Sequence, residues 1–118
     1  MDRPITAHEA AIIGWLLEHA SRRDVTAYCR HPLDELRVVG GCDCGCCSLD
    51  FQPKAPGAVI LADGLAVYPD GQEAGLIVWG RDGVITSLEV FDHHPNASQR
   101  VPELANLRTY EQRGQELL

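Results

Sequence analysis

The stretch that decides the fold runs from Val59 to Asp92. Its parts are Val59-Ile60-Leu61-Ala62-Asp63-Gly64-Leu65-Ala66-Val67-Tyr68, Pro69-Asp70-Gly71-Gln72-Glu73, Ala74-Gly75-Leu76-Ile77-Val78-Trp79-Gly80-Arg81, Asp82-Gly83 and Val84-Ile85-Thr86-Ser87-Leu88-Glu89-Val90-Phe91-Asp92. Apolar runs of strand length are separated by two Asp-Gly pairs, and Asp-Gly is favoured in tight hairpins because both central positions need positive φ. The pattern predicts an antiparallel meander over about Val59–Tyr68, Ala74–Arg81 and Val84–Asp92. With two-residue loops at both Asp-Gly pairs, the register sets Arg81 against Val84, Trp79 against Thr86, Ile77 against Leu88, Leu65 against Leu76 and Asp63 against Val78. One face then carries Ile60, Ala62, Gly64, Ala66, Gly75, Ile77, Trp79, Thr86, Leu88 and Val90. The other carries Asp63, Leu65, Val67, Leu76, Val78, Ile85, Ser87, Glu89 and Phe91. The small residues in the middle of the first face suit the close approach of a helix, which assigns that face to the core.

Working outward, Thr6-Ala7-His8-Glu9 reads as a capping box that opens a helix from about Ala7 to Arg22. Ile5, Ile12, Ile13, Leu16, Leu17 and Ala20 fall on one stripe of that helix, with Gly14, Glu18 and Arg22 opposite. His8 and His19 lie about 16 Å apart along the axis, too far to share an ion. A short helix begun at Val25-Thr26-Ala27-Tyr28 is broken at His31-Pro32. Leu36–Val39 and Ser48–Phe51 are two further strand candidates. Pro102–Leu107 suits one or two helical turns, and residues 111–118 are expected to fray. The predicted fold is one α+β domain over 1–118: an N-terminal helix on a four- or five-stranded antiparallel sheet that ends in a three-strand meander, with a short C-terminal helical turn.

The chain has 118 residues and a formal charge of −7, with Lys54 its one lysine. A protein that displaces counterions from phosphates carries a cationic face, so nucleic acid and anionic membrane are not expected partners. No apolar run reaches the roughly 20 residues of a membrane span, and Met1-Asp2-Arg3-Pro4 does not open a signal peptide; a cytoplasmic location is expected.

Cys42-Asp43-Cys44-Gly45-Cys46-Cys47 holds four of the five cysteines. Thiolates are soft ligands, so one reading is a Zn(II) or Cu(I) site on Cys42, Cys44 and Cys46 with His93 as a further ligand, or else His94 or Cys29. The spacing differs from the paired C-x-x-C of structural zinc sites. The other reading is of thiols buried as small hydrophobes, and redox or disulfide chemistry is a third. His93 and His94 point in different directions from an extended backbone, so at most one faces any given site. Asp63 and Glu89 share the second face, offset by two residues and about 10 Å apart, a separation at which a small hydrolase uses an acid and a base. No nucleophile elbow, zinc-protease helix or phosphate loop accompanies them.

The segments Val39–Phe51, Leu76–Gly83 and Leu88–Asp92 resemble a group of short bacterial proteins of uncharacterised activity. The group's pattern is C-x-C-G-C followed by a small residue, an aliphatic residue and phenylalanine, then an aliphatic-Trp hairpin ending in a Leu-Glu-Val-aromatic-Asp strand. The resemblance implies a small α+β domain and brings no activity, cofactor or catalytic residue. Cys47 stands where the group's pattern implies proline.

The function expected is that of a small, acidic, non-catalytic protein that binds a macromolecular partner, in the manner of immunity, antitoxin or inhibitor proteins. The alternatives are a thiol-rich Zn(II) or Cu(I) binding protein and a small hydrolase using the sheet carboxylates. The expected partner surface is the second face, with Asp63, Leu65, Leu76, Val78, Glu89 and Phe91. Its apolar area calls for cover by the C-terminal segment, a protein partner or a second copy, and a homodimer is the favoured outcome.

Overall fold

The structure, a computed structural model, describes residues 2–21, 32–41 and 45–118. The chain runs β1 (Arg3–Pro4), α1 (Ala7–Glu18), β2 (Arg37–Val38), β3 (Gly40–Gly41), β4 (Leu49–Asp50), β5 (Val59–Val67), β6 (Glu73–Arg81), β7 (Val84–Asp92), β8 (Leu107–Arg108) and α2 (Tyr110–Glu116), with single 3-10 turns at Leu33–Glu35, Ala97–Gln99 and Leu104–Asn106. The expected α+β architecture is present. Its main sheet is antiparallel with strand order β3-β4-β7-β6-β5-β8, and β1 pairs with β2 in a separate ribbon. The sheet has six strands rather than four or five, because Gly40–Gly41 and Leu107–Arg108 add two-residue edges too short to show a period in the sequence. The helix ends at Glu18 with His19 as its C-cap, four residues short of the expected end at Arg22, while the short helix expected at Val25–Tyr28 and the break at His31 lie outside the described residues, as do Cys29, Cys42 and Cys44.

The capping box forms: Thr6 Oγ1 accepts from Glu9 N–H at 3.1 Å and Glu9 Oε1 accepts from Thr6 N–H at 2.9 Å. Arg3 grips the same carboxylate through two donors, at 2.9 and 2.8 Å, which ties β1 to the helix start. Ile12, Ile13, Leu16 and Leu17 are buried on the stripe read from the sequence, Ala10 is buried as well, and Ala20, past the helix end, is half-buried. Ile13 and Leu16 are fully enclosed, each contributing roughly 1.5–3 kcal/mol of burial. The helix approaches β5 at Gly64, where an added Cβ would sit 2.8 Å from Leu16 Cδ2 and 3.1 Å from the Arg108 carbonyl oxygen.

The two Asp-Gly turns differ, and the difference fixes which side of β6 is buried. Asp82 and Gly83 both have positive φ, 54° and 80°, and make the two-residue loop with Arg81 opposite Val84. At the other turn the loop has three residues, Pro69, Asp70 and Gly71. Gly71 N–H donates to Tyr68 O and Tyr68 N–H to Gln72 O, both at 2.9 Å, while Gly71 takes φ 87°. Pro69 is the cause. A two-residue loop would need an N–H from Pro69 for the flanking pair, whereas proline suits the first central position of the turn that forms. The extra residue sets Leu65 opposite Gly75 and Asp63 opposite Ile77, and a one-residue slip turns every β6 side chain over.

The face assignment for β6 is therefore corrected. Leu76 and Val78 point to the helix side and are 0% exposed, while Gly75, Ile77 and Trp79 lie on the outer side. A bulge in β7 offsets the slip. Gly80 pairs with Ile85 but Trp79 with Ser87, so Thr86 is the additional residue, and Leu88 and Val90 still reach the core as expected. Ile85 is buried in the core cluster, and Thr86 lies beside Ser87.

The C-terminal segment folds back. β8 pairs with β5 at Leu65 and Ala66, and α2 packs against both strands. Thr109 and Gln112 form a second capping box that starts α2 where fraying was expected. Arg113 Nε donates to Glu73 Oε1 at 2.7 Å, joining α2 to β6. Pro102–Leu107 holds a 3-10 turn, and the Pro102 carbonyl bonds His8 Nε2 at 2.7 Å.

Candidate binding groove on the outer sheet face

The register places two rows of side chains across the outer face. Asp63, Ile77 and Glu89 are directly opposite one another on β5, β6 and β7. The carboxylates are thus in line, not offset by two, with an isoleucine between them and about 10 Å of sheet separating their Cα atoms. The next row sets Asp50, Ser87 and Trp79 side by side on β4, β7 and β6. Glu89 joins the rows, because its Oε1 accepts the Trp79 indole N–H at 3.0 Å.

A groove opens over the second row. One part, about 290 Å³, is bounded by Asp50, Trp79, Thr86, Ser87 and the Gln52–Ala55 loop. The other, about 270 Å³, is bounded by Gly41, Ser48, Asp50, Trp79, Ser87 and Glu89. Asp50, Lys54, Trp79 and Ser87 border both, so the two parts adjoin. Gly41, Ser48 and Ser87 give the floor its depth, and Trp79 and the carboxylates stand as walls. Arg81, at the end away from Glu89, donates to the Pro56 carbonyl at 3.2 Å.

Asp63 and Glu89 are exposed and Phe91 half-buried on this face. Phe91 lies across Gly75, where any Cβ would strike its ring. Leu65 faces the same way but is 6% exposed, and Leu76 and Val78 belong to the core beneath α1. The apolar patch that argued for a face-to-face dimer thereby loses both, and Ile77 and Trp79 take their place. Sequence reasoning missed Trp79, Asp50 and Ser87 as neighbours; Pro69 signals that Trp79 faces outward, through the β5–β6 register it enforces, and the β7 bulge then sets Ser87 beside it.

Of the cysteine cluster, Cys46 and Cys47 are among the described residues. Cys46 Sγ donates to Ser48 Oγ at 3.3 Å, and Cys47 N–H donates to Ser98 O at 2.8 Å. Burial pushes the Cys47 thiol up from its ordinary range, which lowers its thiolate fraction. His93 is exposed, with its ring 5.2 Å from that of Phe91, and His94 Nδ1 accepts from Glu73 N–H. Among the described residues no group of three or more His, Cys, Asp or Glu side chains is placed to hold a metal ion.

No family model, curated protein or solved structure matches this chain. The groove is thus read from its own chemistry. Among the described residues, no helix is long and apolar enough to cross a membrane.

Proposed function

We propose that the chain is a small acidic, non-catalytic binding protein whose outer sheet face receives a basic protein partner, in the manner of an immunity, antitoxin or inhibitor protein. The observation that carries this reading is the outer face itself, where Asp63, Glu89 and Asp50 are interleaved with the half-buried Ile77 and Trp79. Half-buried aromatic and aliphatic side chains supply contact area, and the carboxylates around them supply complementarity to a cationic surface. A formal charge of −7 on 118 residues strengthens long-range attraction to such a partner. Catalysis fits the face less well, because Asp63 and Glu89 flank an apolar side chain and only Glu89 borders the groove.

The test is affinity capture from cells that express the chain, comparing the unmodified protein with the double variant Asp63→Lys/Glu89→Lys and with Glu111→Lys on α2. A protein retained by the unmodified chain and by Glu111→Lys, lost with the double variant and released as salt is raised, is the expected outcome. Retention that ignores the outer-face charges, or no retention at all, contradicts the proposal.

A further inference from the structure

We infer that the groove bounded by Asp50, Trp79, Ser87 and Glu89 is a receptor for a guanidinium group, contributed by an arginine side chain of the protein partner. The inference rests on the function proposed above and adds the chemistry of the contact. Asp50 is half-buried, and none of the ion pairs or side-chain hydrogen bonds of the described residues uses its carboxylate. Glu89 spends one acceptor position on Trp79, and a carboxylate has about four lone-pair sites on two oxygens. That bond also fixes the indole edge toward Glu89. A planar cation stacked on the indole would find two carboxylates within reach, Asp50 from the neighbouring strand β4 and Glu89 from β7, the strand that carries Ser87.

Thr86 supplies an independent observation. It is 8% exposed, borders the part of the groove that Asp50, Trp79 and Ser87 share with the Gln52–Ala55 loop, and its hydroxyl has no hydrogen-bond partner among the described residues. A buried hydroxyl left unpaired costs about 1–3 kcal/mol, and a rotation of the Thr86 side chain toward a donor held in the groove would relieve that cost. Guanidinium fits better than ammonium because it is flat, weakly hydrated and carries five donors in a fixed fork, matching an aromatic wall and several separated acceptors. Lys54, exposed at the rim of both parts, opposes a cation there. Its removal should therefore tighten binding.

The test is a titration of the folded chain with n-butylguanidinium, n-butylammonium and the neutral n-butylurea, read at the Trp79 indole N–H in nitrogen-15 NMR spectra. Trp15 serves as the internal reference. The expected result is a saturable shift of the Trp79 signal with butylguanidinium, at least threefold weaker for Asp50→Asn and for Glu89→Gln, and severalfold tighter for Lys54→Ala. Butylurea should leave the signal in place. A shift as large with butylurea, no saturable shift, or ammonium binding as tight as guanidinium overturns the inference. Failure here with charge-dependent capture intact removes the arginine receptor alone, whereas guanidinium binding without a captured partner leaves the receptor standing and removes the partner.

Discussion

Truncating two adjacent residues of β6 separates the observed register from the one that Asp-Gly loops alone suggest. Leu76 is fully enclosed under α1, between Gly64 on β5 and Val90 on β7. Leu76→Ala removes three buried carbons and leaves a cavity among well-packed neighbours, a change that costs about 2–5 kcal/mol. Ile77 is half-buried on the outer side, so Ile77→Ala should cost about 1 kcal/mol or less, since much of its surface already meets water. For a chain of 118 residues the unfolding entropy is roughly 250 cal/mol/K, so 1 kcal/mol corresponds to about 4 °C. Leu76→Ala should thus lower Tm by about 8–20 °C and Ile77→Ala by about 4 °C or less. Urea denaturation with unchanged slopes would confirm that both values are stability differences and not altered denatured states. In the slipped register the order reverses. An Ile77→Ala cost equal to or greater than that of Leu76→Ala would refute the placement of Trp79 and the groove with it.

Two further outcomes test the packing and the N-terminal clamp. Gly64→Ala should destabilise by about 1–3 kcal/mol, because the new methyl meets Leu16 and the β8 backbone, and Leu16→Val in the same chain should recover part of that loss; additive losses in a double-mutant cycle would show that the contact is absent. The Arg3 guanidinium, by hydrogen bonding, holds the Glu9 carboxyl down at about 2. A depressed folded value means that this contribution is present above the ordinary carboxylate range and is lost as pH falls from about 4.5 toward 2. Stability measured against pH should therefore decline across that window in the unmodified chain and decline less in Arg3→Ala; parallel curves would contradict the clamp.

Much of the fold was legible. Thr6, Glu9 and the stripe from Ile5 to Leu17 specify a capped amphipathic helix by local chemistry alone, and the three long strands declare themselves between turn residues. What failed was a single residue of register. Asp70-Gly71 satisfies the dihedral demand of a tight turn, but the hydrogen-bond demand rests with Pro69, and both must be read together. The slip moves Leu76 and Val78 onto the outer face in place of Ile77 and Trp79, which the structure sets there. The β7 bulge carries no comparable signal in the sequence, since Thr86 is an ordinary strand residue and its extra position follows from three-dimensional pairing. The short strands β3 and β8 escaped notice because two residues define no period, and α2 because its cap, Thr109 with Gln112, opens a helix almost devoid of apolar residues.

The central claim is that the outer face around Ile77 and Trp79 meets a protein partner. Its most direct measurement places a photo-crosslinking amino acid at position 77 in cells that express the chain, with position 111 on α2 as the comparison, both residues reaching the surface. Irradiation should give a discrete adduct larger than the chain itself from position 77, diminished by Glu89→Lys in the same chain, and none from position 111. Adducts of equal yield at both positions, or none at position 77, would contradict the claim; an adduct of twice the chain's own mass would identify the partner as a second copy and contradict the basic heterologous one proposed here.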